Sequence, residues 1–238
     1  MPDENRLPQL VLLPGLDGTE ILFGPLLSAL PSGLTPRIVT FPLDGPHDYT
    51  ELLPIVAQAV ASIGDFYVLG WSFSGPLALM LARHLPDRVR GIILAASFVR
   101  LPLPHLARLR FAVTGPAVAV VRAIRRSPLV LFGAGTPQFR EAKRRTWARI
   151  NSNVLAARAR SVFDVDAREL LRDCRQPLLY IAGTEDTVVP FHNAAEIAKE
   201  QPQTQVVRIA GPHLALFTNP MAAADEIAGF IARQKRNA

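Results

Sequence analysis

The chain alternates short apolar runs with longer segments in which apolar residues recur at helical spacing. Six runs are apolar at nearly every position and cover residues 9–15, 37–41, 66–70, 91–97, 177–183 and 205–210. Runs of this length with apolar residues on both faces are typical of parallel strands buried between two layers of helices. Helical patterns separate them, at about residues 21–30, 52–63, 74–85, 191–201 and 220–233. The alternation predicts an α/β fold, with a mostly parallel sheet of about six strands and helices on both faces.

One segment interrupts this alternation. Residues 100–160 contain no strand pattern and are rich in Leu, Ala, Val and Arg. Prolines divide the segment into short pieces and lie at Pro102, Pro104, Pro116, Pro128 and Pro137. Because proline interrupts helices, the pattern predicts several short helices between two strands. We therefore expect a core made of residues 1–99 and 161–238, with a helical cap inserted at residues 100–160.

Composition narrows the class of protein. Of 238 residues, 49% are hydrophobic and 19% are charged, a balance that allows a large core and excludes a disordered chain. The single cysteine, Cys174, excludes an internal disulfide and a cysteine-based metal cluster. The acidic, polar start differs from a signal peptide, and no apolar stretch reaches the roughly 18 residues of a spanning helix. We expect a cytoplasmic protein.

A candidate nucleophile follows the third apolar run. The segment GWSFSG at residues 70–75 connects a predicted buried strand to a predicted helix. A serine at the tip of such a turn presents its hydroxyl, and its neighbours two residues away must be small because the two backbones approach closely. Gly70 and Ser74 meet this requirement around Ser72, whereas Ser74 as nucleophile would place Pro76 at the second small position. The pattern predicts a nucleophile elbow with Ser72 at its tip.

A serine hydroxyl also needs a general base and a carboxylate that orients the base. His213 lies between the last strand and the last helix, and Asp186 lies just beyond the fifth strand. Open parallel sheets assemble their sites in loops beyond the carboxyl ends of the strands, so we expect both side chains to meet Ser72 there. His192 begins a helix and is the weaker base candidate. Glu185 is the nearest rival acid, and the spacing to the following Val-Pro favours Asp186.

Acyl transfer through a serine also needs two backbone donors for the oxyanion of the tetrahedral intermediate. The amide of Phe73, directly after the candidate nucleophile, is one candidate. The second is expected in the loop after the first strand, where LPGLDG spans residues 13–18 and the amide of Leu16 is well placed. Taken alone, Gly15 and Gly18 could simply form a turn.

Four ordered segments resemble the α/β-hydrolase superfamily over nearly the whole chain: LLPGLDG, GWSFSG, GTEDTVVP and GPHLALFTNP. The resemblance implies a serine hydrolase with Ser72, Asp186 and His213 as its triad and a cap at residues 100–160. It implies no organic cofactor, and no histidine spacing indicates a metal site. The family often has His-Gly where this chain has Pro-Gly. It also often begins with two antiparallel strands, whereas about eight residues precede the first strand here, so we expect a trimmed sheet.

The net charge of +6 is unevenly distributed. Residues 100–160 contain 13 basic residues and one acid, a net +12, whereas the remainder has 13 basic and 19 acidic residues, a net −6. Arginine-rich surfaces suit phosphate or carboxylate ligands or an acidic protein, although charge runs are often simply solvated. A basic amphipathic helix could also rest on anionic lipid. The candidate substrate or partner contacts are Trp71, Arg122, Arg125, Arg126, Arg144, Arg145 and Trp147.

Within the superfamily, the Gly-Trp-Ser elbow and the basic cap are similar to the family of pimeloyl-acyl carrier protein methyl esterases of biotin synthesis. This similarity implies hydrolysis, through an acyl-enzyme, of an ester bound to an acidic acyl carrier protein. An acyl thioesterase, a small-ester carboxylesterase and a lipase-like hydrolase stay open, because one triad serves all of them. A non-catalytic binding protein on the same scaffold is the alternative of another class. Nucleic acid is not expected, because the cap lacks a recognised motif and the remaining surface is acidic.

Overall fold

Six parallel strands form the single sheet of this protein. The computed structural model describes residues 7–45, 48–126 and 136–236, without the side chains of residues 124–126. The strands are β1 (Gln9–Leu13), β2 (Thr35–Ile38), β3 (Phe66–Trp71), β4 (Val89–Ala95), β5 (Leu178–Gly183) and β6 (Gln205–Ile209). They lie in the order β2-β1-β3-β4-β5-β6, and every pairing is parallel. The predicted, mostly parallel sheet of about six strands is therefore confirmed.

Alternate side chains of the strands point into two separate cores. Val11 and Leu13 face one core, and Leu10 and Leu12 face the other, all of them fully buried. Helices cover both faces, and every residue of β3 and β5 is buried. This two-sided burial explains why the strands are continuous apolar runs rather than alternating patterns.

The helices follow the strands in regular alternation. On one face lie α2 (Tyr49–Ala59), α3 (Ser74–His84), α7 (Arg168–Arg172) and α8 (His192–Glu200). On the other face lie α1 (Gly24–Ala29), α9 (Ala215–Thr218) and α10 (Pro220–Arg236). Asp48 begins α2 with a capping box, accepting from the Glu51 amide while the Glu51 side chain accepts from the Asp48 amide. Helix α10 begins at Pro220, as the Asn-Pro pair predicts.

Several predicted boundaries were wrong, among them those of α2 (expected at residues 52–63) and β4 (expected at residues 91–97), and two further differences have a clear local cause. The second strand was expected at residues 37–41, but β2 ends at Ile38 because the chain then leaves the sheet towards the loop after β1. The Phe41 amide donates there to the Gly18 carbonyl at 2.9 Å. The helix expected at residues 21–30 is divided into a 3₁₀ turn, Ile21–Phe23, and α1. Pro25 in the first turn of α1 is compatible with a new helix start at that point.

Most of the described residues between β4 and β5 are helical. This segment contains a 3₁₀ helix (Pro104–Ala112), α4 (Gly115–Arg126), α5 (Pro137–Arg149) and α6 (Ser152–Asp164). Thr136 caps α5 and Asn151 caps α6, each accepting a backbone amide in the first turn. An antiparallel bridge between Arg100 and Asp166 joins the two ends of the segment. Across the ranges described above, no helix is both long enough and apolar enough to cross a bilayer.

Candidate active site

Ser72 lies at a sharp turn between β3 and α3. Its φ is 53°, a left-handed conformation that is rare for a residue with a side chain. The Ser72 amide donates to the Ala95 carbonyl at 2.8 Å, which ties the turn to the end of β4. A Cβ on Gly70 would lie 2.4 Å from the Ser74 carbonyl oxygen, so only glycine lets the helix backbone approach the strand this closely. The strained serine at a glycine-lined turn is the geometry that the sequence pattern predicts.

His213 lies between Ser72 and Asp186. Its Nε2 is 2.9 Å from the Ser72 Oγ, and its Nδ1 is 2.8 Å from the Asp186 Oδ2. The other carboxylate oxygen of Asp186 accepts from the amides of Val188 and Val189 at 2.9 and 2.8 Å. These bonds orient the carboxylate, whose side chain is 2% exposed. The chain therefore brings together three groups that follow β3, β5 and β6, with the imidazole bonded on both sides.

The rival candidates lie elsewhere. Glu185 is exposed, and its amide donates to the Gly211 carbonyl at 2.9 Å, which holds the acid loop against the histidine loop. The His192 Nε2 is 2.9 Å from the Pro102 carbonyl oxygen, at the start of the helical segment. Among the described residues, no three His, Cys, Asp or Glu side chains are grouped so that they could hold a metal ion.

The loop after β1 lies beside Ser72. A Cβ on Gly15 would be 4.0 Å from the Ser72 Cβ, so the two turns are in direct contact. The Gly18 amide donates to the Gly15 carbonyl at 3.0 Å, which points the following Leu16 N–H away from that bond. The chain crosses from β2 to β3 on the far side of β1, and this topological switch opens a crevice between the β1 and β3 loops.

The amide of Phe73 lies at the amino end of α3, where helix N–H groups have no partner within the helix. Its own carbonyl accepts from the Tyr49 hydroxyl at 2.9 Å, and the two rings stack with centroids 4.6 Å apart. The backbone donor after Ser72 is thus held by a buried neighbour. Gly15, Leu16 and Ser72 line one cavity, and the Leu16 and Phe73 amides stay the predicted donors to an oxyanion.

Several polar contacts that were not predicted from the sequence support the turn at Ser72. Ser97 Oγ donates to the Ser72 carbonyl at 2.6 Å. The Tyr180 hydroxyl donates to the Ser97 carbonyl at 2.7 Å and accepts from its amide at 3.1 Å. The Ser74 hydroxyl donates to the Pro14 carbonyl, which joins the elbow to the loop after β1. Ser97 lies just beyond β4, at the same edge of the sheet as Ser72. This position was the sequence signal that could have identified it.

An apolar cavity of about 430 Å³ opens above Ser72 and His213. The loop after β1 forms one wall through Leu16 and Asp17. The helical segment between β4 and β5 forms much of the remaining wall, and its lining residues include Val113, Val118, Val121, Trp147, Ile150 and Leu155. A cavity with mostly apolar walls and a few polar groups at one end suits an apolar chain whose reactive group is polar.

The predicted cap contacts have different environments. Trp71 and Trp147 both line the cavity. Arg122 also lines it, but its guanidinium joins helices: Nη1 donates to the Ile150 carbonyl and the Ser152 hydroxyl, each at 2.8 Å. Arg144 and Arg145 are exposed, and Arg144 pairs with Glu141 at 2.6 Å. Arg125 and Arg126 end α4, and their side chains lie outside what the structure describes.

The sequence prediction missed Arg158 and Asp17. Arg158 is a fully buried cation in α6, and Asp17 borders the cavity in the loop after β1. Burial raises the pKa of Asp17. Thr19 opposes this increase, because the amide and the hydroxyl of Thr19 both donate to the Asp17 carboxylate. Nothing in the sequence distinguishes Arg158 from the other basic residues of residues 100–160.

The chain is similar in sequence and in fold to known proteins. The model of the alpha/beta hydrolase family matches residues 10–226. The pimeloyl-[acyl-carrier protein] methyl ester esterase of Xylella fastidiosa is 32% identical over 91% of this chain and 93% of its own length. A poly(3-hydroxyalkanoate) depolymerase of Ectopseudomonas oleovorans is 24% identical over 100% of this chain and 89% of its own. The enol-lactonase of Burkholderia xenovorans shares the fold with a TM-score of 0.79, at 19% identity over 97% and 93% of the two chains.

Proposed function

The chain belongs to the alpha/beta hydrolase family and is a carboxylic ester hydrolase, and from this premise we propose that Ser72, His213 and Asp186 are its catalytic triad. The observation that carries this proposal is the continuous set of bonds from Ser72 Oγ through His213 to the buried Asp186 carboxylate. A neutral imidazole that donates from Nδ1 to a carboxylate presents a free lone pair on Nε2, which is what a general base requires.

The proposed reaction has two halves. Ser72 Oγ attacks the ester carbonyl carbon while His213 Nε2 takes the hydroxyl proton, and the Leu16 and Phe73 amides donate to the oxyanion. Collapse of this tetrahedral intermediate breaks the bond to the alcohol oxygen, to which His213 returns the proton, and leaves an acyl-enzyme. Water then attacks the acyl-enzyme by the same steps, so that the acid is released and Ser72 regains its proton.

Reaction with a fluorophosphonate probe tests whether the protein has a reactive serine. We expect one label per chain, on Ser72, because only a serine beside a base displaces fluoride from phosphorus at a useful rate. Tandem mass spectrometry of the labelled peptide locates the adduct, and unlabelled protein denatured before the reaction is the control. A folded protein that takes no label would refute the triad and would favour a non-catalytic binding protein.

The cavity supports a substrate with an apolar acyl chain. Its walls present mostly aliphatic side chains and Trp147, and Arg122 in the wall already donates to the Ile150 carbonyl and the Ser152 hydroxyl. A free carboxylate in the middle of the cavity would therefore lose much of its hydration at a cost in free energy. The pimeloyl methyl ester group of a carrier-bound substrate contains methylene groups, a methyl ester and a thioester, none of which is charged. We infer that the substrate is a neutral acyl ester of this kind. The specific substrate that we propose is a pimeloyl-acyl carrier protein methyl ester.

The exposed basic residues between β4 and β5 support an acidic carrier protein as the partner. Arg144 and Arg145 are both exposed on α5, the helix that also contributes Trp147 to the cavity wall. Exposed charges around an entrance accelerate the encounter with a partner of opposite charge and are screened by salt. Arg122 is a poorer candidate for this role, since its guanidinium joins helices within the segment.

The double variant R144E/R145E is expected to lower kcat/KM on an acyl-carrier-bound methyl ester by about tenfold, with kcat/KM on methyl butyrate within about twofold. The matched control is R83E/K235E, which makes the same charge change on two exposed residues at the opposite end of the sheet. Both values are measured at two salt concentrations. Equal losses on the two substrates, or an equal loss in the control, would exclude carrier docking at α5.

A substrate panel separates the chemically close alternatives. The panel pairs a methyl ester with the corresponding thioester, each in free and carrier-bound form. Preference for the carrier-bound methyl ester supports the proposed substrate, whereas preference for the thioester would indicate an acyl thioesterase. Activity on the free methyl ester equal to that on the carrier-bound methyl ester would indicate a small-ester carboxylesterase.

A further inference from the structure

Arg158 connects the helical segment between β4 and β5 to the loop after β1. It lies in α6 and is 0% exposed. Its Nη1 donates to the Leu16 carbonyl at 3.0 Å, and its Nη2 donates to the Pro42 carbonyl at 2.5 Å. The guanidinium carbon lies 5.4 Å from the centroid of the Phe41 ring. One side chain of α6 therefore holds both the loop after β1 and the segment that follows β2.

The loop after β1 has a shape that admits this guanidinium. Gly18 has a φ of +71°, and a Cβ at that position would lie only 2.5 Å from Arg158 Nη1. The Gly18 carbonyl accepts from the Phe41 amide at 2.9 Å, and its amide donates to the Gly15 carbonyl at 3.0 Å. Any side chain at position 18 would displace the guanidinium from the Leu16 carbonyl.

Asp17, in the loop after β1, carries a negative charge opposite to that of Arg158 in α6. The two attract each other, and this attraction opposes the burial that raises the pKa of Asp17. Burial lowers the pKa of Arg158 to about 10, so the guanidinium stays protonated at neutral pH. Both Asp17 Oδ1 and Ser72 Cβ lie within 4.0 Å of the place that a Cβ on Gly15 would occupy. Asp17 is thus beside the candidate nucleophile.

Stability alone does not account for a buried arginine here. Removing a cation from water costs free energy, and an apolar side chain of similar size often packs as well or better. The Nε of Arg158 has no hydrogen-bond partner in the described part of the chain, so the guanidinium is incompletely satisfied. An apolar side chain could not donate a hydrogen bond to the Leu16 carbonyl, as Arg158 does.

We propose that Arg158 is a positioning residue for oxyanion stabilisation, an inference that rests on the proposed function of Ser72 and the Leu16 amide. Arg158 fixes the peptide that follows Leu16, through its carbonyl. The bond from Gly18 to Gly15 fixes the peptide that precedes Leu16. The Leu16 N–H belongs to the peptide that precedes Leu16, and both peptides that flank the Leu16 Cα are anchored. We infer that this donor is oriented before negative charge develops beside Ser72. Through this contact, α6 preorganises a donor that belongs to the core.

The variant R158M tests this role, with R160M as its matched control. Arg160 lies on the same helix, is partly buried, and donates to the Val113 carbonyl at 2.8 Å within the helical segment. For p-nitrophenyl butyrate we expect kcat of R158M to fall about 10–100-fold with KM within about threefold, because a misplaced donor weakens the transition state more than the ground state. R160M should keep both constants within about twofold of the wild type.

A boronic acid gives a readout that a purely structural role would not change. Butylboronic acid forms a tetrahedral anionic adduct with an active serine, whereas 1-octanol cannot form such an adduct and is expected to occupy the apolar cavity alone. Butylboronic acid should bind R158M about 10–100-fold more weakly than the wild type, and 1-octanol should bind both equally. R158K keeps the charge and can reach one of the two carbonyls, so its kcat should lie between those of R158M and the wild type.

If R158M does not fold, the double variant D17N/R158M removes the unpaired carboxylate as well, and the same loss of kcat is expected. A kcat of R158M equal to that of R160M, or an unchanged affinity for butylboronic acid, would overturn the positioning role. A wild-type protein without esterase activity would instead refute the proposed function. The two failures are therefore distinguishable.

Discussion

Replacing Ser72 with alanine is expected to lower kcat for p-nitrophenyl butyrate by at least about 10⁴-fold, because the acyl-enzyme can no longer form. The fold should be unchanged. The bonds that hold the turn come from the Ser72 backbone, whose amide donates to Ala95 and whose carbonyl accepts from Ser97. Alanine preserves both bonds and meets the same backbone strain as serine. Thermal unfolding by circular dichroism, with the esterase assay, separates lost chemistry from lost structure.

Ser62→Ala is the matched control for this experiment. Ser62 is exposed and lies before β3, at the end of the sheet opposite Ser72. Its replacement should leave kcat and KM within about twofold of the wild type. If the Ser72→Ala protein retained more than about 1% of the wild-type kcat, with contaminating esterases excluded by a second purification, Ser72 would not be the nucleophile.

Replacing Asp186 with asparagine is expected to have the second large effect, lowering kcat by about 10³–10⁴-fold. The amides of Val188 and Val189 donate to one oxygen of Asp186, so the carboxamide oxygen must take that position. The carboxamide NH₂ then faces His213 Nδ1, which becomes an acceptor. The imidazole proton is forced onto Nε2, where it faces Ser72 Oγ, and the base can no longer take the serine proton. The volume of the side chain is unchanged, so the fold should persist.

Glu185→Gln is the control for this substitution, since it makes the same change in the adjacent, exposed carboxylate. We expect Glu185→Gln to stay within about twofold of the wild type in kcat. Nuclear magnetic resonance of the imidazole nitrogens provides the direct check, because the proton should move from Nδ1 to Nε2 in Asp186→Asn alone. An unchanged tautomer with full activity would exclude Asp186 as the orienting acid.

Much of the fold could be predicted from the sequence, because its signals are local. A strand buried on both faces must be apolar at every position, and such a run cannot be confused with an exposed segment. The order of strands and helices and the parallel sheet followed from that pattern, and both are confirmed. The limits of β2 did not follow, because Phe41 pairs with Gly18 rather than with the sheet. The strand ends where a distant loop offers a better partner.

The candidate site shows the same division. The sequence by itself determined which serine, histidine and carboxylate to consider, because each follows a strand and parallel strands end at one edge. Only the tertiary structure decided which basic residues serve as surface charges. Arg144 is exposed beside Glu141, whereas Arg158 is buried against a carbonyl 142 residues earlier in the chain. Both are arginines on amphipathic helices, and the partner that separates their roles comes from a part of the chain that local patterns do not reach.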